Sequence, residues 1–256
     1  ELPELKLLVD AIQSSRFITA KKSNELIRKL ESLVSEYEAR ELQRQVYVSG
    51  RIKTMNESIY YTVDAIYSAI ASNRKILFQY FQWNAKKEME LRHGGAVYKI
   101  SPWGLAWDNE NYYLVGYDSE ADMIKHYRVD KMAELAVTCL KLEPGEDREL
   151  SSFDMAAYAA KHFGMFRGRE GRVRLRCRNH MVGVVLDRFG QDVMLVPDGD
   201  RHFTVTVEAV VSPQFFGWLF GLGDAVELTG PDWAVSDFRA QLQAVAGQYT
   251  RSPQGK

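Results

Sequence analysis

The feature that most constrains this chain is a change of apolar period at residue 74. Up to that point apolar residues recur at helical spacing, as in Leu26, Ile27, Leu30, Leu33, Val34 and Tyr37, with Lys22, Arg28, Lys29 and Glu31 between them. This spacing predicts an amphipathic helix over 23–37. A second is expected from "NESI", where Asn56 is placed to cap the first turn, through Ile59, Val63, Ile66 and Ile70. With the opening "LKLLVDAI", the first seventy or so residues read as helical. In "RKILFQYFQW" the period becomes two. Ile76, Phe78 and Tyr80 fall on one face and Leu77, Gln79 and Phe81 on the other, the pattern of a strand partly covered on both sides.

Short strand candidates follow at 87–92, 97–101, 104–107, 112–117, 123–129 and 135–141, separated by the turn signals "HGG", "DNEN" and "DSEAD". Regular short strands with tight turns predict a small barrel or curled antiparallel sheet. Beyond the Gly- and Arg-rich "FGMFRGREG" the elements alternate. A strand over 172–178, a helix over 180–189 closed by Gly190, strands over 192–197 and 202–210, a helix from Ser212–Pro213 to Phe220, a strand over 225–229 and a terminal helix from Asp232 are expected. That β-α-β-β-α-β order is the one of a split βαβ, ferredoxin-like module. The fold class is therefore α+β. The expected parts are a helical region over 1–72, a small barrel over 73–145, a linker over 146–170 and a C-terminal module over 171–250.

Composition narrows the function. No apolar run reaches the roughly 18 residues that span a bilayer, so membrane insertion is not expected. Cys139 and Cys177 are far apart and have no neighbouring thiol, which argues against a disulfide framework or a thiolate metal site and fits a cytoplasmic setting. The sequence opens without Met and without a signal-peptide pattern, so it is expected to begin inside a longer protein. A net charge of −1 removes the simplest case for a duplex-binding surface. Catalysis finds little support. His93, His126, His162, His180 and His202 show no metal-ligand spacing, and there is no GxSxG elbow, Walker loop or GxGxxG after a strand. No catalytic residue, metal or cofactor is expected.

Binding finds more. In "NYYLVGYDSEADMIKHYRVDKM" strand alternation sets Tyr113, Val115 and Tyr117 on one face, and Ile124, His126 and Arg128 on one face of the next strand. Burying Leu114, Tyr127 and Val129 leaves His126, Arg128 and tyrosine hydroxyls in a polar concavity. Asp130 is expected to cap a short helix "KMAEL", placing Lys131 in its first turn beside backbone N–H groups that favour an anion. Tyr80, Tyr113 or Tyr117 would stack on a base or donate to a phosphate. The competing reading is that these charges only solvate an outer face. Arg172, Arg174, Arg176 and Arg178 likewise share one strand face, which fits a phosphate-tracking stripe, a protected edge strand or a subunit interface. The apolar "FFGWLFGLG" reads as core or dimer contact.

These residues resemble the WYL-domain regulators, in which an aromatic–Tyr–Leu triplet precedes an aromatic–Arg–aliphatic–Asp–Arg–Ile motif. Tyr112, Tyr113 and Leu114 stand at the triplet, with Tyr112 in place of its Trp, and Tyr127 to Asp130 match the second motif, with Lys131 and Met132 replacing its Arg and Ile. "ILFQYFQW", "YKISPWGLAW" and the connector-like "RQVYVSGRIKTMNESIYYTVDAIYSAI" are similar to the segments preceding them. The resemblance covers about residues 40–140, and the tail after 170 resembles the family's C-terminal extension. It implies a bacterial transcriptional regulator with an N-terminal winged helix-turn-helix on duplex DNA, outside this sequence. It further implies an Sm-like, SH3-like barrel sensing a nucleotide or single-stranded nucleic acid, and a homodimerising extension. By match, Arg128 and Lys131 would hold phosphate with His126 and Tyr113 nearby. The alternative is a nucleic-acid-binding protein in its own right, in which the Arg172–Arg178 stripe joins Arg128; an enzyme acting on a nucleotide is a third.

Overall fold

A computed structural model describes residues 1–42, 53–54, 56–143 and 153–250. Residues 43–52 of the connector-like stretch, Met55 within it, and 146–152 of the expected linker lie outside the described residues. The described chain forms two compact units, Glu1–Phe153 and Asp154–Lys256.

The first unit opens with helices α1 (Leu2–Ser14), α2 (Ala20–Glu31) and α3 (Glu36–Leu42). Val9 of α1 and Ile27 of α2 are buried together, flanked by Leu2, Leu5, Ile12, Leu30 and Val34. The single helix expected over 23–37 is interrupted. Leu33 N–H bonds back to Leu30 O in a tightened last turn, and Ser35 then starts α3. The restart is a capping box: the Glu38 carboxylate accepts from Ser35 N–H at 3.1 Å while Ser35 Oγ accepts from Glu38 N–H at 3.4 Å. The end of α1 is held by Lys53, whose ammonium donates to Ile12 O, Ser15 O and Ser23 Oγ at 3.0, 2.9 and 2.8 Å. A cation at the last carbonyls complements both their lone pairs and the helix dipole.

Helix α4 (Ile59–Ala71) follows, with Ile66 and Ala69 fully buried against a sheet. Asn56 does not cap its first turn as expected; its Oδ1 accepts from Ser58 N–H and Oγ–H, one step before the helix, and Ser58 is the terminal residue. The sheet is antiparallel throughout and contains β1 (Arg74–Trp83), β2 (Met89–Leu91), β3 (Val97–Asp108), β4 (Asn111–Asp118), β5 (Met123–Arg128) and β6 (Met132–Lys141). Its order is β2-β1-β3-β4-β5, and β6 pairs with β1 across the residues that β3 leaves on the other side.

Strand β3 unites two segments expected to be separate. Residues 97–100 pair with β1, residues 101–108 pair with β4, and the register shifts between Pro102 and Gly104. Proline has no N–H to offer a ladder, so a bulge at this point bends one continuous strand instead of ending it. Close approach follows, because a Cβ on Gly116 of β4 would lie 2.5 Å from Ile100 Cγ2 and 2.9 Å from Ser101 O. The expected closed barrel is not formed. No ladder joins β5 to β6, which are linked by a turn of 3-10 helix at Val129–Lys131. Side chains fill the interior instead: Phe78, Tyr80, Tyr98 and Tyr127 pack ring against ring at 5.1 to 6.4 Å between centroids, above Leu114 and Val129, which are fully buried.

The second unit contains α5 (Met155–Lys161), β7 (Arg169–Arg178), α6 (Val182–Phe189), β8 (Leu195–Asp198), β9 (His202–Val211), α7 (Pro213–Gly221), β10 (Val226–Gly230) and α8 (Asp232–Thr250). Its antiparallel sheet has the order β10-β7-β9-β8. Val173, Leu175 and Cys177 point from β7 into a core completed by Val185 of α6 and by Phe215 and Leu219 of α7. Ser212 caps α7, its Oγ accepting from Phe215 N–H at 3.3 Å, and Pro213 occupies the first turn where its missing N–H costs nothing.

Two glycines test this packing in opposite directions. Gly116→Ala is expected to lower the urea unfolding midpoint by the equivalent of about 1–3 kcal/mol, the usual cost of overpacking. Gly217 lies inside α7 with open space where a Cβ would stand, so Gly217→Ala is expected to add about 0.5–1 kcal/mol. An unchanged midpoint for Gly116→Ala would contradict the tight approach of β4 to β3.

Candidate functional site

The expected helix at "KMAEL" is absent. Met132–Lys141 is strand β6, so Lys131 belongs to the 3-10 turn and no helix N-terminus stands beside it. Lys and Glu, Met, Ala and Leu are good helix formers, but pairing with β1 through Tyr80↔Met132 and Ile76↔Val137 overrides that preference.

Freed from capping, Asp130 has another role. Its carboxylate accepts from Arg128 Nε at 3.0 Å and from Arg128 Nη2 at 2.8 Å, a two-pronged grip on the guanidinium. Arg128 Nη2 also donates to Asn111 Oδ1 at 2.9 Å. The backbone N–H of Arg128 donates to the Tyr80 hydroxyl at 3.1 Å. Arginine has five N–H donors. The bonds to Asp130 and Asn111 use Nε and Nη2, and Nη1 makes none among the described residues. The guanidinium is thus fixed in one orientation with an edge still unused.

Two more cations stand close by. The Arg92 guanidinium lies 5.9 Å from the centre of the Tyr80 ring. Lys131 makes no ion pair among the described residues, and its pKa is lowered by burial first, then by the charges of Arg128 and Arg92, with Asp130 pulling the other way. Arg128 is held more firmly protonated by its bond to Asp130. Three positive groups therefore gather here, of which Asp130 pairs with Arg128 alone. Tyr80 lies among them with its hydroxyl pushed up to about 12, chiefly by burial. Tyr113, directly opposite Arg128 on the neighbouring strand, is also raised by burial.

The sequence-predicted residues divide accordingly. Arg128, Lys131, Tyr80 and Tyr113 are brought together. His126 lies two residues back along β5, opposite Val115. Tyr117 is opposite Ile124 further along the same face, stacked 5.9 Å from Trp103, with its hydroxyl donating to Asp122 Oδ1 at 2.6 Å. Leu114, Tyr127 and Val129 are buried as the partition required. Arg92 and Asn111 were not anticipated. Asn111 sat inside "DNEN", where it counted only as a turn signal, and nothing in the spacing of Arg92 connects it to Arg128.

In the second unit Arg172, Arg174, Arg176 and Arg178 do share one face of β7, but β7 is an inner strand with β10 and β9 on either side, so it is not a protected edge. Part of the stripe is neutralised. Arg176 Nε donates to Asp198 at 2.6 Å and Arg178 Nη2 to Asp224 at 2.5 Å. Cys177, between them in sequence, faces the core with its thiol pushed up to about 11 by burial. Among the described residues no group of three His, Cys, Asp or Glu side chains is arranged to hold a metal, and no helix is long and apolar enough to cross a membrane.

Removing the Tyr80 hydroxyl tests the frame of the cluster. Tyr80→Phe is expected to destabilise the fold by about 1 kcal/mol, since the Arg128 N–H loses its acceptor. It is also expected to remove one phenol of raised pKa from the ultraviolet titration. The sign follows from the raised pKa: an unfolded tyrosine ionises near about 10, so Tyr80 favours the folded state below that pH. The contribution is lost as pH rises from about 10 towards about 12. An unaltered alkaline limb in Tyr80→Phe would contradict this burial.

Comparison with known proteins bears on the same segments. Residues 61–137 match the family model of the WYL domain, and residues 169–246 match that of the WCX domain. Among solved structures the chain is similar to proteasome accessory factor B/C (PafBC) of Arthrobacter aurescens, at 21% identity and a TM-score of 0.30, covering 76% of this chain and 28% of that one. It is also similar to a CRISPR Cas-related protein, at 14% identity and a TM-score of 0.43, covering 92% of this chain and 60% of the other. The chain therefore spans less than two thirds of the length of either structure. No curated protein matches it. The cluster around Arg128 lies within and beside the matched WYL segment, and the arginine-faced strand within the other: this is a chain carrying a WYL domain followed by a WCX domain.

Proposed function

We propose that this chain is the ligand-sensing part of a transcriptional regulator, and that the cluster of Arg92, Arg128 and Lys131 binds the phosphate of a nucleotide or of single-stranded nucleic acid. The observation that carries this reading is the charge balance of the cluster. Asp130 satisfies Arg128 alone, while Lys131 makes no ion pair among the described residues and feels two neighbouring cations. Like charges gathered at one place are unfavourable until an anion joins them. A phosphate would accept from Arg128 Nη1 and from the Lys131 ammonium without displacing Asp130. The edge of Tyr113, across from Arg128, offers a surface for a base or sugar attached to that phosphate.

The order β10-β7-β9-β8 with helices between the strands supports a ferredoxin-like module for the C-terminal unit. Exposed Leu7 and Leu8 on α1, Leu33 in the α2–α3 connection, Tyr37 on α3 and Tyr249 on α8 support a homodimer. In such a regulator the sensor would set the placement of domains that read duplex DNA. The use of the β7 arginines as a second nucleic-acid surface is weakened by the carboxylates that already engage Arg176 and Arg178.

Fluorescence anisotropy with a short single-stranded oligonucleotide, and calorimetry with a nucleoside monophosphate, would test the proposal. Arg128→Ala and Lys131→Ala are each expected to weaken binding about tenfold, equivalent to about 1.4 kcal/mol. The slope of affinity against salt should fall by about 0.7 for each lost phosphate contact to a single strand. Arg178→Ala should leave both unchanged. Binding indifferent to Arg128 and Lys131 would overturn the assignment.

A further inference from the structure

On another side of the WYL-domain sheet the first unit contains a pocket of about 390 Å³, within the range of sites that hold small molecules. Its wall is made by the α1–α2 connection, the first turns of α2 and α4, and the β3–β4 hairpin. Phe17, Trp107 and Tyr112 meet edge to face in a closed triangle, with centroids 5.8, 4.6 and 4.7 Å apart. Ile18, Leu26 and Ile59 supply the aliphatic part. Trp107 remains 52% exposed, a large apolar surface left in contact with solvent at the pocket wall.

Three polar residues of this wall, Thr19, Asn56 and Lys22, are already occupied. Thr19 Oγ1 accepts from Lys22 N–H at 3.1 Å, closing the first turn of α2. Asn56 spends its Oδ1 on Ser58 and its Nδ2 on Asp130 O. The Lys22 ammonium pairs with Glu25 at 3.2 Å and lies 4.8 Å from the Tyr60 ring centre, and Glu57 stands on the same wall. An ion entering here would lose hydration; an anion would meet only a Lys22 already paired with Glu25, and the Glu57 carboxylate, which makes no ion pair among the described residues, is exposed to water that screens it from a bound cation. An uncharged ring would instead gain contact with three ring edges and faces and with aliphatic side chains.

We infer that this pocket is a binding site for a small, uncharged, planar aromatic molecule, separate from the phosphate-binding cluster. The inference stands without the anion-binding reading, since none of its residues is Arg92, Arg128 or Lys131. Calorimetric titration of the whole chain with naphthol, and with naphthoate and naphthylmethylammonium as charged counterparts, tests it. Naphthol should bind saturably with one-to-one stoichiometry and at least about tenfold more tightly than either ion. Leu26→Trp, which fills the pocket from α2, should abolish the binding, and Trp107→Ala should weaken it at least about tenfold. Because Leu26 is only half-buried and Trp107 half-exposed, both variants are expected to remain folded, Trp107→Ala with a lower unfolding midpoint because it loses two ring contacts, and the transition is measured alongside. Absence of saturable naphthol binding to the wild-type chain would overturn the inference. So would a preference for either ion, or wild-type affinity in a folded Leu26→Trp or Trp107→Ala protein.

Discussion

The bond on which the rest of the WYL-domain sheet depends is the one from the Arg128 N–H to the Tyr80 hydroxyl. The sheet has no ladder between β5 and β6, so at that seam the backbone of the Arg128 turn would otherwise find no partner in the strand before it. A buried N–H without an acceptor costs about as much as a lost hydrogen bond, and a side chain reaching from β1 supplies what the ladder does not. The tyrosine is suited to this because its ring belongs to the core, packed against Phe78, Tyr98 and Tyr127, while its hydroxyl reaches the seam. One residue thus joins core packing to the placement of Arg128.

Fixing Arg128 brings an electrostatic compromise. Asp130 orients the guanidinium by two bonds but cancels its charge, and the side chains of the pair are only 35% and 19% exposed. Had all of the cluster's cations been paired in this way, the site would attract nothing. Lys131 and Arg92 keep it positive: neither has an ion pair among the described residues, and the Lys131 pKa is lowered first by burial and then by the neighbouring cations. The arrangement therefore separates two tasks, with Asp130 and Asn111 holding one cation in a set direction and two further cations supplying net charge. In the second unit the opposite balance holds for half of the arginine stripe, where Arg176 and Arg178 each meet a carboxylate of their own unit, Asp198 and Asp224.

How much of this was legible in the sequence follows from which signals are local. Period-two alternation set Leu114, Tyr127 and Val129 apart from His126 and Arg128, because side-chain direction along a strand is set by the backbone itself, whereas the register that puts Tyr113 opposite Arg128 is fixed only by the pairing of the two strands. The start of α7 was equally readable from Ser212 and Pro213. The Ser35–Glu38 capping box that splits the long N-terminal helix was present as a local signal but is overridden on paper by the continuing apolar period of Leu33, Val34 and Tyr37. "KMAEL" misled for the opposite reason, since its helix-forming residues are placed by pairing with β1, a partner distant in the chain. Arg92 could not be found at all, because its approach to Tyr80 depends on how a turn folds back over the sheet.

The pocket and the cationic cluster are physically adjoining, and the strand periodicity explains how. Asn111 and Tyr112 are consecutive on β4 and therefore point to opposite faces, so one accepts from Arg128 while the other walls the pocket. Asn56 makes a second link, since it lines the pocket and donates through Nδ2 to the backbone oxygen of Asp130 at 3.4 Å. The boundary between the two sites is therefore made of shared residues, so the side-chain directions that alternate along β4 and the two bonds of Asn56 fix the pocket wall and the orientation of the arginine within one framework.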